Sequence, residues 1–219
     1  MILDLHVHSK YSKDSRLEPE KILKLATAKG LGGIAVTDHN TVYGGLIARK
    51  VSKGDLLVIV GSEIKTERGE VMGLFLNEEI PERSFFDVVD AIRDQGGIVV
   101  LPHPFDRLRR SSFLKIREEC LNFIDCIEVF NSRCIRGEFN HLAESFAALH
   151  NLPVTAGSDA HLANEIGLAG IMVNADEEEE VRKAILKKEV RIFGRKSSIL
   201  NHGITKVLKI WRHLKDSGP

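Results

Sequence analysis

Short apolar runs alternate with amphipathic stretches along the whole chain. Residues 2–5, 33–36, 56–60, 71–76, 98–101, 126–130, 154–156, 170–173 and 190–193 read as strands. Between the first two, residues 20–29 repeat apolar side chains at helical spacing (Ile22, Leu23, Leu25, Ala26), with Pro19 at the start and Gly30 at the end. Residues 42–51, 85–95, 114–120, 138–150, 177–188 and 204–214 are also predicted as helices, and the acidic run 177–180 suits a solvated helix N-terminus. Residues 98–101, Ile-Val-Val-Leu, form the kind of β-branched run that parallel sheets bury. Strands alternating with helices at this spacing predict an α/β fold built on a parallel sheet or barrel. No repeat, low-complexity tract or linker divides residues 1–219, so one domain is expected, with residues 162–219 completing or flanking it.

Composition narrows the choice of function. The chain is 43% hydrophobic and 28% charged, which excludes bulk disorder. Lys and Arg number 31 and so do Asp and Glu, a balance that argues against extended nucleic-acid binding through phosphates. Aromatic residues are 6%, so no base-stacking platform is advertised either. The opening Met-Ile-Leu-Asp-Leu-His does not read as a secretory signal, so none is expected, and no segment approaches the roughly 20 apolar residues that span a bilayer. Cys120, Cys126 and Cys134 form no Cys-x-x-Cys pair, a pattern that suits reduced thiols in a cytoplasm. A cytoplasmic protein without a membrane partner is expected.

The chemistry-bearing residues follow the strands. His6-Val7-His8 comes after the first, with Asp14 six residues on; Asp38-His39 comes after the second; the third leads into Glu63. His103 lies between two prolines after residues 98–101, Asn131 follows residues 126–130 with Glu128 inside that strand, and Asp159-Ala160-His161 follows residues 154–156. In a barrel such strand ends converge on one face, where barrel active sites lie. Residues i and i+2 on extended chain project to one side, so His6 and His8, and likewise Asp159 and His161, can reach one ion. Imidazole mixed with carboxylate suits Zn²⁺, Fe or Mn²⁺. Taken singly, His39 could sit beside a helix cap and His103 in a rigid turn; together the set points to a multinuclear metal site. His141, His150, His202 and His213 read as ordinary surface or core residues.

Asp4-Leu5-His6-Val7-His8-Ser9, Thr37-Asp38-His39-Asn40, Gly61-Ser62-Glu63, Pro102-His103-Pro104 and Gly157-Ser158-Asp159-Ala160-His161 resemble, in order, the successive motifs of the PHP (polymerase and histidinol phosphatase) family. The resemblance implies a distorted (β/α)7, TIM-like barrel and two or three divalent ions (Zn, Mn or Fe) that hydrolyse phosphoesters. His6, His8, Asp14, His39, Glu63, His103, Asp159 and His161 would be the ligands. Glu63 would bridge two ions, and Glu63, His103 and Asp159 would act in catalysis. Many members carry a further His soon after the Glu63 motif; here Glu70 either stands in for it or is a solvated residue at a strand start. Asn131 either matches a polar strand-end group of the family or caps a turn.

Arginine forks match phosphate bidentately. Arg107, Arg109 and Arg110 follow the Pro-His-Pro motif and Arg133 follows residues 126–130; Arg107 and Arg133 are the expected substrate contacts. The expected activity is hydrolysis of a small phosphorylated metabolite or nucleotide. Two alternatives are a nuclease for short single strands and a non-catalytic scaffold in an RNA-processing or polymerase assembly.

Overall fold

The computed structural model describes residues 1–54, 56–109 and 118–216. In chain order the elements are β1 (Ile2–Val7), α1 (Pro19–Ala28), β2 (Gly33–His39), α2 (Tyr43–Val51), β3 (Leu57–Thr66), β4 (Gly69–Leu74), α3 (Phe85–Asp94), β5 (Ile98–Leu101), α4 (Glu118–Leu121), β6 (Cys126–Asn131), α5 (Gly137–Leu149), β7 (Val154–Gly157), β8 (Ala169–Val173), α6 (Glu178–Leu186), β9 (Val190–Gly194) and α7 (Ile199–Asp216). Of the helix expected over 114–120, residues 114–117 lie outside the described residues.

One mixed sheet runs in the order β7-β6-β5-β4-β3-β2-β1-β8-β9 and curls into a nearly closed barrel. β1 divides its free edge between two partners. Its first half pairs antiparallel with β8, matching Ile2 to Met172 and Leu3 to Ile171. Its end is met by the chain leaving β7: Val7 bridges Ala160, and the His8 amide donates to the Ala160 carbonyl at 2.9 Å. Gly157 permits this closure, because a Cβ there would stand 2.3 Å from the Cβ of His6.

The sheet departs from the uniformly parallel pattern at β4, which runs antiparallel to both β3 and β5. Only Glu67 and Arg68 separate β3 from β4. A link that short makes a hairpin, whereas a parallel return needs a crossover of a dozen or more residues. No helix therefore follows β3, and strict sevenfold β/α alternation is absent. α7 also starts earlier than expected, at Ile199, because Gly203 inside it weakens the helical signal.

Alternate residues sort the core into layers. Leu3, Leu5, Ala35, Ile59, Met72, Leu74, Ile98, Val100 and Cys126 form one buried cluster drawn from six consecutive strands, which is the barrel interior; Val181, Ala184 and Ile185 of α6 join it. The opposite parity, including Val60, Ile64, Val71, Val99, Leu101, Ile127 and Val129, packs outward against Val88, Val89 and Ile92 of α3 and Ala143 and Ala147 of α5. Val7 and Ile34 meet Ile22 and Ala26 of α1. Burying each large aliphatic side chain stabilises the fold by about 1.5–3 kcal/mol. Among the described residues no helix is long and apolar enough to cross a membrane.

Candidate metal centre

At the C-terminal ends of β1, β2, β3, β5, β6 and β7 the interior changes from aliphatic to ionisable. A register shift in β1 between Asp4 and Val7 turns His6 and His8 inward beside the inward Leu5. The β2–β3 register sets His39 opposite Glu63, and the β3–β4 hairpin sets Glu70 opposite Lys65, one inward step beyond Glu63. His103 and Asp159 follow β5 and β7 with φ of 31° and 54°. These are left-handed conformations that non-glycine residues adopt at a cost, and they are common where a site dictates direction. Asp159 therefore departs from the extended i, i+2 geometry expected for it and His161.

Glu63 sits between the ligand sets. Its Oε1 is 2.7 Å from His103 Nε2, and its Oε2 is 3.0 Å from His39 Nδ1, 3.5 Å from His8 Nε2 and 3.6 Å from His6 Nε2. Asp159 Oδ1 lies 3.2 Å from His8 Nε2 and 3.7 Å from His6 Nε2. Asp14 faces His161 Nε2 at 3.2 Å and His39 Nε2 at 3.6 Å. Glu70 Oε2 is 3.8 Å from His103 Nε2. Among the described residues, four overlapping groups have donor atoms close enough to share an ion: His6-His8-Asp159, His6-Glu63-His103, His8-His39-His161 and His39-Glu63-Glu70.

A second layer of contacts fixes which nitrogen each ring presents. His6 Nδ1 donates to Glu128 Oε1 at 2.8 Å, and the other Glu128 oxygen accepts from the His103 amide at 2.8 Å. The Ser12 hydroxyl donates to Asp38 at 2.7 Å, so it accepts from His8 Nδ1 at 3.0 Å. His161 Nδ1 donates to the Asp159 carbonyl at 2.8 Å. All three rings are thereby held with Nε2 toward the cluster, the orientation that outer-shell partners impose on metal-binding histidines.

The donor set fits divalent ions. Asp14 Oδ1, Glu63 Oε2 and Asp159 Oδ1 are buried and make no hydrogen bond, an arrangement that is costly unless a cation stands nearby. Without one, protons take its place. Burial alone would depress His6, but the carboxylates of Glu128, Asp159 and Glu63 hold it well above an ordinary imidazole. Burial, with His161 and His39 beside it, pushes His8 down to about 3. The pair at 3.1 Å is then a His6 imidazolium donating to a neutral His8. Burial is likewise outweighed at His39, raised by Glu63 and Asp14, at Glu63, lowered by His39 and His6, and at Asp159, lowered by Arg109 and His6.

All eight ligands expected from the sequence thus meet at one rim, with Glu70 beside them. The arginines behave differently. Arg107 is exposed and does not line the cleft above the centre. Arg133 lines the cleft, but its guanidinium is engaged with Glu165 at 3.0 Å and Thr205 at 2.7 Å. Arg109 reaches the centre instead, 2.5 Å from Asp159 Oδ2; Arg110 lies outside the described residues. Asn131 does cap a turn, its Oδ1 accepting from the Arg133 amide at 2.9 Å and its carbonyl from the Cys134 amide at 3.2 Å, while its side-chain amide donates to Glu128 at 2.9 Å. Sequence reasoning passed over His202, Lys206 and Lys209, which α7 brings to the cleft. Only the amphipathic period of α7 could have hinted at them.

A barrel whose strand ends gather imidazoles and carboxylates with donor atoms close enough to share an ion defines a candidate metal-binding barrel. The chain belongs to the PHP family. The family described as PHP-associated matches residues 137–190. Two uncharacterized proteins of Methanocaldococcus jannaschii are relatives. MJ1587 is 40% identical over 155 residues, covering 65% of this chain and 89% of its own length; MJ0417 is 40% identical over 176 residues, covering 78% and 70%. Among solved structures, a two-domain protein from Bacteroides vulgatus containing a predicted PHP-like metal-dependent phosphoesterase superposes with a TM-score of 0.75 at 20% identity, over 89% of this chain. This chain spans 65% of the length of that protein.

Proposed function

We propose that this protein hydrolyses the phosphoric ester of a small phosphorylated metabolite or nucleotide, using two or three divalent ions held by His6, His8, Asp14, His39, Glu63, His103, Asp159 and His161, with Glu70 available to complete one position. One observation carries the reading: three buried carboxylate oxygens without hydrogen bonds converge among five imidazoles at the catalytic end of a barrel. Ions bound there would supply the positive charge that polarises phosphoryl oxygens and acidifies water.

The chain's own residues supply the rest. Glu63, with oxygens directed to His103 and His39, holds neighbouring ligand sets at a fixed spacing. Glu128 fixes His6 and the His103 backbone together, so β1 and the β5 end move as one. Arg109, neutralised in part by Asp159 and by Asp106 at 3.1 Å, stands at the edge where a phosphate oxygen would approach. The mixed imidazole and carboxylate donors suit Zn²⁺, Mn²⁺ or Fe²⁺.

The test is metal titration of the purified chain followed by a hydrolysis screen. The panel would hold nucleotides, sugar phosphates, histidinol phosphate and a short single-stranded oligonucleotide, each with Mn²⁺, Zn²⁺ or Fe²⁺. Binding of two or more ions with turnover of a small ester supports the proposal. Turnover of the oligonucleotide alone would make the protein a nuclease, and failure to bind any ion would leave a scaffold.

A further inference from the structure

A surface helix ordinarily turns its apolar side inward and its polar side to water. α7 does the reverse. Leu200, Ile204, Val207 and Trp211 are 48–77% exposed, whereas Asn201 and Thr205 are buried. The polar side is tied down firmly. Thr205 Oγ1 accepts from Arg133 at 2.7 Å, Asn201 donates to Ser197 at 3.0 Å, and Asn164 donates to Asn201 at 3.3 Å. Arg133 in turn pairs with Glu165, whose Oε2 accepts the His161 amide at 3.0 Å. The polar side of α7 is thus anchored to the loop that carries a candidate ligand.

Beside those anchors, His202, Lys206 and Lys209 border a cleft of about 470 Å³ whose other wall includes Asp14, His39 and His161. The arginines of this cleft are already matched by carboxylates: Arg109 by Asp159 and Asp106, Arg133 by Glu165. Lys209 touches Asp14 at 3.3 Å while its side chain stays 63% exposed. Lys206 makes no ion pair among the described residues. The two lysines are three positions apart, which makes them neighbours on the helix surface. Cationic charge still available to a ligand therefore lies on α7, with Lys209 beside Asp14 at the edge of the centre and Lys206 three positions earlier on the helix.

We infer that Lys206, with Lys209 beside it, binds a second anionic group of the substrate, distinct from the ester being hydrolysed. The protein then selects phosphate esters that carry a carboxylate or a second phosphate over esters with a neutral end. This assignment rests on reading the cleft as a phosphate site, and it explains why α7 exposes apolar residues to keep its basic side over the cleft.

The experiment uses non-hydrolysable ligands, so it reads binding whether or not turnover is found. The Mn²⁺-loaded chain is titrated calorimetrically with propylphosphonate, 3-phosphonopropionate and propane-1,3-bisphosphonate, which share a spacer and differ in the far end. The native chain should bind one of the two doubly anionic ligands about tenfold more tightly than propylphosphonate, with the gap closing as salt rises. Whichever is favoured tells carboxylate from phosphate. In Lys206→Gln/Lys209→Gln the gap should fall to about twofold, with unchanged metal content and a propylphosphonate affinity within twofold of native. Lys206→Gln alone, at an exposed position, should show part of the loss without a folding effect. Equal binding of all three ligands by the native chain overturns the inference. So does a preference that survives the double substitution, or an equal loss for every ligand. An intact lysine-dependent preference in a protein that hydrolyses no ester would instead sink the phosphoesterase reading and leave the anion site standing.

Discussion

Two halves of the same barrel strands carry opposite chemistry. Near their N-terminal ends the inward positions are Leu3, Leu5, Ala35, Ile59, Ile98, Val100 and Cys126, with Met72 and Leu74 from the reversed strand β4. One or two inward steps further on they are His6, His8, His39, Glu63 and Glu128, with Glu70 from β4. The aliphatic half gains free energy from leaving water. The ionisable half costs free energy, because buried carboxylates and imidazoles lose hydration that only ions or protons restore. A barrel can hold the second half only because the first half, braced by α3, α5 and α6, stabilises the frame. Substitutions in the two halves should therefore separate activity from stability.

The largest expected effect lies in the ionisable half. Glu63→Ala and His8→Ala should each reduce ester hydrolysis by on the order of 10³-fold or more, the scale of several kcal/mol of lost charge stabilisation. Metal analysis should show depleted ions, and circular dichroism a retained fold. His150→Ala is the control: its ring rests on Phe146 at the exposed end of α5, and activity should be native. A metal-free but folded His8→Ala/Glu63→Ala variant with native turnover would place the chemistry elsewhere.

The aliphatic half should respond in the opposite sense. Leu5→Ala empties a fully buried interior position and should cost about 2–5 kcal/mol in denaturant unfolding, with the slope unchanged. Metal content per folded molecule should stay native. If Leu5→Ala lost ions before it lost stability, the two halves would not be separable.

The sequence made the ionisable half more legible than its surroundings. A polar residue after each apolar run is a one-dimensional signal, and it located His6, His8, His39, Glu63, His103, Asp159 and His161. Glu128 could have been assigned too, since it shares the inward parity of Cys126. The reversal of β4 was implicit in a link of two residues. Other features had no local signal. Arg133 meets Glu165 thirty-two residues away, a pairing that its position in the sequence did not suggest. Nothing in a helical period says which side faces the body, so the inverted seating of α7 could be found only in three dimensions.

Acidity should set how strongly the ionisable half takes up ions. His6 and His39 are held above the ordinary imidazole range, so the metal-free protein carries their protons at neutral pH. Groups raised in this way stabilise the metal-free fold fully below the unfolded value of about 6.5, and that contribution is lost as pH rises through their folded values. Ions must displace both protons, so metal affinity should climb by roughly ten- to a hundredfold per pH unit through the neutral range. Calorimetry in buffers of different ionisation enthalpy should find about two protons released per molecule loaded at pH 7. Release near zero would mean that the rings are already neutral.

The smallest effect is expected at the border between the halves. Glu70 is buried, stands 3.8 Å from His103, and is grouped with His39 and Glu63, yet it lies on the hairpin strand and not at a parallel strand end. A carboxylate there can complete a position that His39 and Glu63 begin, but both of those residues stay in place without it. Glu70→Gln keeps the shape and removes the charge. It should weaken one ion by about tenfold, lowering stoichiometry under limiting metal, while excess Mn²⁺ restores most of the activity and the unfolding midpoint stays native. Unchanged stoichiometry under limiting metal would make Glu70 a neighbour of the centre and not a member of it. Complete loss that no excess of metal repairs would move the border outward and put β4 in the catalytic half, on the same footing as Glu63.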